Sequence, residues 1–192
     1  MTTAILLVCQ KLDDEKVAVD IVNFLLERGA IPDEEMMEIS IKKRWLDMVK
    51  TLTEKKLFDD CPSSYDLIEA CRNEDVPMVK YLVEIGVEVN SYCDDWPIKV
   101  ACNTRNREII RILSEAGADF NVSGSDKCTP IFEAYLNATN DFLLFLVEMG
   151  ASLLDGTSDR REYSMLHYLT KYDKWETLED IIWEMDKCRR KK

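Results

Sequence analysis

Leu82-Val83-Glu84-Ile85-Gly86-Val87-Glu88-Val89-Asn90, Leu113-Ser114-Glu115-Ala116-Gly117-Ala118-Asp119-Phe120-Asn121 and Leu146-Val147-Glu148-Met149-Gly150-Ala151-Ser152 are three spellings of one phrase. Their glycines, Gly86, Gly117 and Gly150, recur at a nearly even interval. A fourth copy, Leu25-Leu26-Glu27-Arg28-Gly29-Ala30, lies far enough before Gly86 to leave room for one disguised unit. Self-similarity at a period of this size is the mark of stacked supersecondary units.

A second landmark fixes the register. Ala70, Ala101 and Ala134 precede Gly86, Gly117 and Gly150 by one and the same interval. That interval also joins Ser40 to Lys56, which exposes the hidden unit, with Glu54-Lys55-Lys56-Leu57 where the others carry Glu-x-Gly-Ala. It joins Leu169 to Met185 as well, across Leu178, Ile181 and Ile182. The first unit, Val8 to Gly29, is longer, and the polar stretch Lys11–Lys16 is its expected insertion. Six units fill the chain, roughly 1–33, 34–60, 61–93, 94–125, 126–160 and 161–192, read as a single domain over 1–192.

The phrases upstream carry a resemblance. Repeat five has Thr129-Pro130-Ile131-Phe132-Glu133-Ala134, repeat four Trp96-Pro97-Ile98-Lys99-Val100-Ala101 and repeat six Ser164-Met165-Leu166-His167-Tyr168-Leu169. Tyr65-Asp66-Leu67-Ile68-Glu69-Ala70 and Glu35-Met36-Met37-Glu38-Ile39-Ser40 are weaker versions, and Thr3-Ala4-Ile5-Leu6-Leu7-Val8 weaker still. This resembles the ankyrin repeat family, with its unit of about 33 residues and its Thr-Pro-Leu-His-x-Ala phrase. The resemblance implies an all-α solenoid of stacked antiparallel helix pairs joined by hairpin-like loops. It also implies that His167, three after Ser164, hydrogen-bonds and ties neighbouring turns, and that Asn90 and Asn121 bond across theirs. Asparagines so placed are in similar repeats also substrates for hydroxylation.

Local physics agrees with that architecture. Met78, Val79, Leu82 and Val83 recur at the spacing of one helix face, as do Ile109, Ile110 and Leu113. Pro77 falls in a first helical turn, where its missing N–H costs nothing. Gly86, Gly117 and Gly150 stand just past a helix end, where a left-handed residue closes the C-terminus. Cys71 and Cys102 take equivalent slots after Ala70 and Ala101 and read as small buried hydrophobes.

Composition excludes several functions. The 192 residues carry 37 Asp+Glu against 25 Lys+Arg, a formal net charge of −12. Direct nucleic-acid binding and an anionic membrane surface both need clustered cations, so neither is expected. Acidity favours instead a protein partner whose surface is basic or mixed basic and apolar. Seven cysteines, an odd number and none at metal-knuckle spacing, fit free thiols in a reducing, cytoplasmic setting. No secretory signal or membrane-spanning run is evident. The tail Lys187 and Arg189–Lys192 reads either as a nuclear signal or as a solvated end that offsets the helix dipole.

One histidine leaves little for catalysis, and no Gly-rich phosphate loop occurs. No cofactor, metal or catalytic residue is expected. Recognition is expected instead at the connecting segments, where Phe58, Asp59, Asp60, Tyr65, Tyr92, Asp94, Asp95, Trp96 and Asp126 interleave acids with aromatics. A second expected surface is the face of the first helices, with Glu69, Arg72, Asn103, Glu133 and Tyr168 in outward slots. Trp183 stands where five other units carry Glu27, Glu54, Glu84, Glu115 and Glu148, as a contact or as packing beneath the tail. The leading expectation is a protein-binding adaptor or inhibitor, monomeric when alone. The alternatives are a viral or pathogen effector that mimics a host ankyrin-type inhibitor and, from another class, an enzyme or metal protein.

Overall fold

A computed structural model describes residues 4–58, 62–123, 128–137, 139–154, 164–172 and 175–189. Among them are helices and turns, with no strand. The helices are α1 Ala4–Lys11, α2 Glu15–Glu27, α3 Glu35–Lys42, α4 Leu46–Glu54, α5 Ser64–Arg72, α6 Val76–Glu84, α7 Pro97–Thr104, α8 Arg107–Glu115, α9 Pro130–Asn137, α10 Asn140–Glu148, α11 Met165–Lys171 and α12 Trp175–Arg189. Consecutive helices pack in pairs, odd with even. The chain falls into two compact units, Met1–Glu88 and Val89–Lys192. Within the first, α3 packs on α1 and α5, and α2 on α4; within the second, α7 packs on α9, and α10 on α12.

The disguised repeat is settled by backbone conformation. Gly86 closes α6 at φ +90°, its N–H donating to Val83 O while Val87 N–H reaches Leu82 O. Lys56 does the same for α4 at φ +48°, with Lys56 N–H on Thr53 O and Leu57 N–H on Leu52 O. A lysine therefore makes the left-handed closure that glycine makes elsewhere, at a steric cost glycine avoids.

In repeats two, three and four the tight turn inside the pair is also left-handed. Arg44, Glu74 and Arg105 hold φ of +60°, +54° and +57°. The next helix then starts on a short polar cap: Asp75 Oδ1 accepts from Met78 N–H, and Asn106 Oδ1 from Ile109 N–H, each at 3.2 Å. Pro77 sits in the first turn of α6, as its place in the sequence predicts.

Repeat one differs from the expected insertion. Its extra residues lengthen α2 to 13 residues against 9 in α4, and the turn between α1 and α2 stays short. Asp14 caps the added turn through Val17 N–H, and Glu15 gains a use: its Oε1 accepts from Asp47 and Met48 N–H at the start of α4.

Apolar burial drives the stacking. Leu82, Leu113 and Leu146, the first residues of the three quoted phrases, are fully buried. Each contributes roughly 1.5–3 kcal/mol relative to exposure. Cys71 and Cys102 are buried as well, and like Cys9, Cys93 and Cys128 they take part in no disulfide.

Candidate functional site

The turn that follows Val89 is built on a buried anchor and two rings. Val89 is buried, and Asn90 Nδ2 donates to Gly117 O at 2.9 Å while its Oδ1 accepts from Asp119 N–H at 2.8 Å. Asn121 Oδ1 in turn accepts from Ser152 N–H at 2.8 Å. The asparagine bond thus runs to the next unit's turn rather than across its own.

Tyr92 and Trp96 face each other with ring centroids 5.5 Å apart and planes tilted by 52°. Their roles are unequal. Tyr92 is 47% exposed, whereas Trp96 is half-buried at the start of α7, with its Nε1 enclosed and without a hydrogen-bond partner. Asp94 is exposed, while Asp95 Oδ1 is occupied by Trp96 N–H at 2.9 Å. The turn therefore presents one tyrosine and one exposed carboxylate on a tryptophan base.

On the first helices of unit one, Glu38, Lys42, Tyr65, Glu69 and Arg72 are gathered together. Lys42 pairs with Glu38 and Arg72 with Glu69. The Lys42 ammonium also feels Tyr65 and Glu69, and its pKa is raised, first by its hydrogen bond to Glu38. Beneath them Asp66 is buried and closes a capping box, its Oδ2 accepting from Ser63 N–H at 2.7 Å and Ser63 Oγ at 3.0 Å. Burial pushes its carboxyl up against those hydrogen bonds, and Glu38 and Glu69 add to the rise. Glu38 and Lys42 were not singled out from sequence; the signal was their i, i+4 spacing, with Glu38 itself in the slot the phrase gives to histidine.

In unit two the same register produces a buried ion pair. Lys99, in the histidine slot of repeat four, lies 2.9 Å from Glu133 of repeat five, with side chains 5% and 21% exposed. Glu133 is therefore turned into the stack, and its Oε2 is enclosed without a partner, as is Thr129 Oγ1. Thr129 lacks the partner that Ser164 has, because Phe132 replaces histidine; Ser164 Oγ and His167 Nδ1 meet at 2.8 Å. Asn103 and Arg72 are exposed, and Phe58 and Tyr65 are half-buried. Asp59, Asp60 and Asp126 lie outside the described residues, as does the side chain of Tyr168.

No group of three His, Cys, Asp or Glu residues suited to a metal ion occurs among the described residues. Nor is any described helix long and apolar enough to cross a membrane. The side chains brought together here offer shape, charge and ring surface.

Comparison with known proteins points the same way. Residues 67–156 match the family model of ankyrin repeats, in three copies. Among curated proteins, the BRCA1-associated RING domain protein 1 of Caenorhabditis elegans is 35% identical over 89 residues, covering 45% of this chain. The match spans 13% of that relative's length. Residues 67–156 thus carry three ankyrin repeats, and the helix pairs and left-handed closures described above are the local structure on which that match falls.

Proposed function

We propose that this chain is a non-catalytic protein-recognition module, acting as an adaptor or as an inhibitor that covers a partner's surface. Ankyrin repeats bind other proteins, and the observation that carries the finer reading is the braced turn at Tyr92. A half-exposed tyrosine backed by a tryptophan ring, beside the exposed Asp94, is the build of an interface anchor with a charged rim. The ion-paired face of Glu38, Lys42, Glu69 and Arg72 supplies a second polar surface. The net charge of −12 supports a partner with a basic or mixed basic and apolar surface. Buried thiols outside any disulfide support a reducing compartment.

The test is affinity capture from the native source, identification of the captured protein by mass spectrometry, and kinetics with the purified pair. Tyr92→Ala should speed dissociation at least tenfold, whereas Asp94→Asn should slow association at low salt. Trp96→Ala is a poorer probe because the ring is half-buried, so a melting curve accompanies each variant. Unchanged kinetics in both Tyr92→Ala and Asp94→Asn would remove the turn from the interface.

A further inference from the structure

The second helices of the described repeats share one residue slot, two before the closing position. It holds Glu27, Glu54, Glu84, Glu115 and Glu148, and all five are exposed. The sixth repeat puts Trp183 there, 64% exposed. Two further slots in these helices face the following unit. Thr53, three before its closure, hydrogen-bonds Tyr81 of the next repeat; Arg107, ten before its closure, pairs with Asp141 of the next. In α12 those slots are Ile182 and Trp175, 56% and 52% exposed.

The other side of α12 is already used, with Leu178 and Ile181 buried where the helix packs on α10 and α11. In a repeat stack a helix face left to solvent is ordinarily polar. This one turns out two tryptophans and an isoleucine, an apolar patch on the order of 300 Å². Exposed acids accompany it, with Glu176 and Asp180 along one edge and Glu179 between the two tryptophans. A second copy of a chain with net charge −12 would bring like charge to those acids.

We infer that the outer face of α12, centred on Trp175, Ile182 and Trp183, docks an amphipathic helix of another protein whose apolar stripe is flanked by Lys or Arg. Such a helix lies where the next helix of a stack would lie. Its stripe covers Trp175 and Ile182, and its cations meet Glu176, Glu179 and Asp180. Trp183 sits at the edge between the two.

The probe is a synthetic helical peptide of five turns with a leucine stripe and a lysine rim, compared with its scrambled isomer and a leucine–glutamate version. Tryptophan emission of the full chain reports binding, since Trp175 and Trp183 are each more than half exposed. The leucine–lysine helix should blue-shift the emission and bind at least tenfold tighter than both controls. Trp183→Glu restores the residue of the other five repeats and adds negative charge, so it separates two mechanisms. Docking on the apolar face predicts at least tenfold weaker binding, whereas bare charge attraction predicts tighter binding. Ile182→Ser is the second variant, with the same expected loss and with melting checked in both. Equal or tighter peptide binding by both variants overturns the inference. So does a dimer in sedimentation equilibrium that Trp183→Glu abolishes, because the occupant is then a second copy.

Discussion

Lys99 and Glu133 belong to successive repeats and lie 2.9 Å apart, an ion pair set between α7 and α9. The lysine stands in a slot that the family phrase gives to histidine, and here it ties two repeats through a charge pair. Removing the lysine strands the Glu133 carboxylate with little water to solvate it. Lys99→Met should therefore cost about 3 kcal/mol, while Lys99→Met with Glu133→Leu should recover most of the loss. Urea unfolding of the two singles and the double measures the coupling, and additive losses would show that the pair does not act as one.

The turn asparagines should rank by their bonds. Asn90 holds both a carbonyl and an N–H of the next turn, and Asn121 holds one N–H. At roughly 1 kcal/mol per hydrogen bond, Asn90→Ala should cost about 2 kcal/mol and Asn121→Ala about 1 kcal/mol. Equal losses in chemical denaturation would contradict this ranking.

Asp66 gives a pH signature of known sign. Its carboxyl is buried and its pKa is raised above 3.8, first by desolvation. The neutral form is favoured in the fold, so its contribution is greatest below pH 3.8 and is lost as pH rises through the higher folded value. Asp66→Asn keeps an acceptor for Ser63 N–H without the charge. The variant should thus gain stability relative to wild type between mildly acid and neutral pH, a difference that unfolding at the two pH values reads directly. A relative loss over that interval would mean that the capping hydrogen bonds outweigh burial.

Thiol chemistry separates the cysteines by depth. Cys93 is exposed, whereas burial pushes the Cys71 thiol up to about 12 and the Cys102 thiol higher still, with Glu133 adding to the latter. Burial also raises Cys9, against the pull of Lys43. Iodoacetamide at mildly alkaline pH should label Cys93 quickly and leave Cys9, Cys71 and Cys102 until the chain unfolds. After denaturation without reductant, all seven sites should react; five or fewer would reveal a disulfide.

The left-handed turn at Glu74 offers a stabilising change. Glu74 holds φ +54°, a conformation glycine adopts without its steric cost. Glu74→Gly should raise stability by up to about 1 kcal/mol, seen as a melting point higher by a few degrees. Arg44→Gly should not, because the Arg44 guanidinium also donates to Asn73 O. A lower melting point for Glu74→Gly would mean that the freedom glycine adds to the unfolded chain dominates.

Much of the fold was legible because its period is written in the residues that tolerate least substitution. Gly86, Gly117 and Gly150 mark closures that need a left-handed residue, and the fixed alanine-to-glycine interval then found Lys56 without a glycine to announce it. The surface was less legible, because a side chain's partner lies one unit away and depends on stacking register. Glu133 reads as an outward slot until Lys99 is placed opposite it, and Asn90 reads as a tie across its own turn until Gly117 is brought beside it. Trp96 shows the same limit: sequence marks an aromatic at a turn, and only packing shows that Tyr92 carries the exposed edge.

The bonds made by Glu15, Thr53, Asn90, Lys99 and Asn121 each reach one unit forward and no further. Loops of one repeat's length close at a modest entropic cost that grows only logarithmically with length. Such ties keep the sequence separation of contacts low, a property that goes with fast folding. Any helix pair that forms first offers its neighbour a finished surface, so folding can begin in several places and spread by accretion, with local fraying confined to the pair that has lost a neighbour.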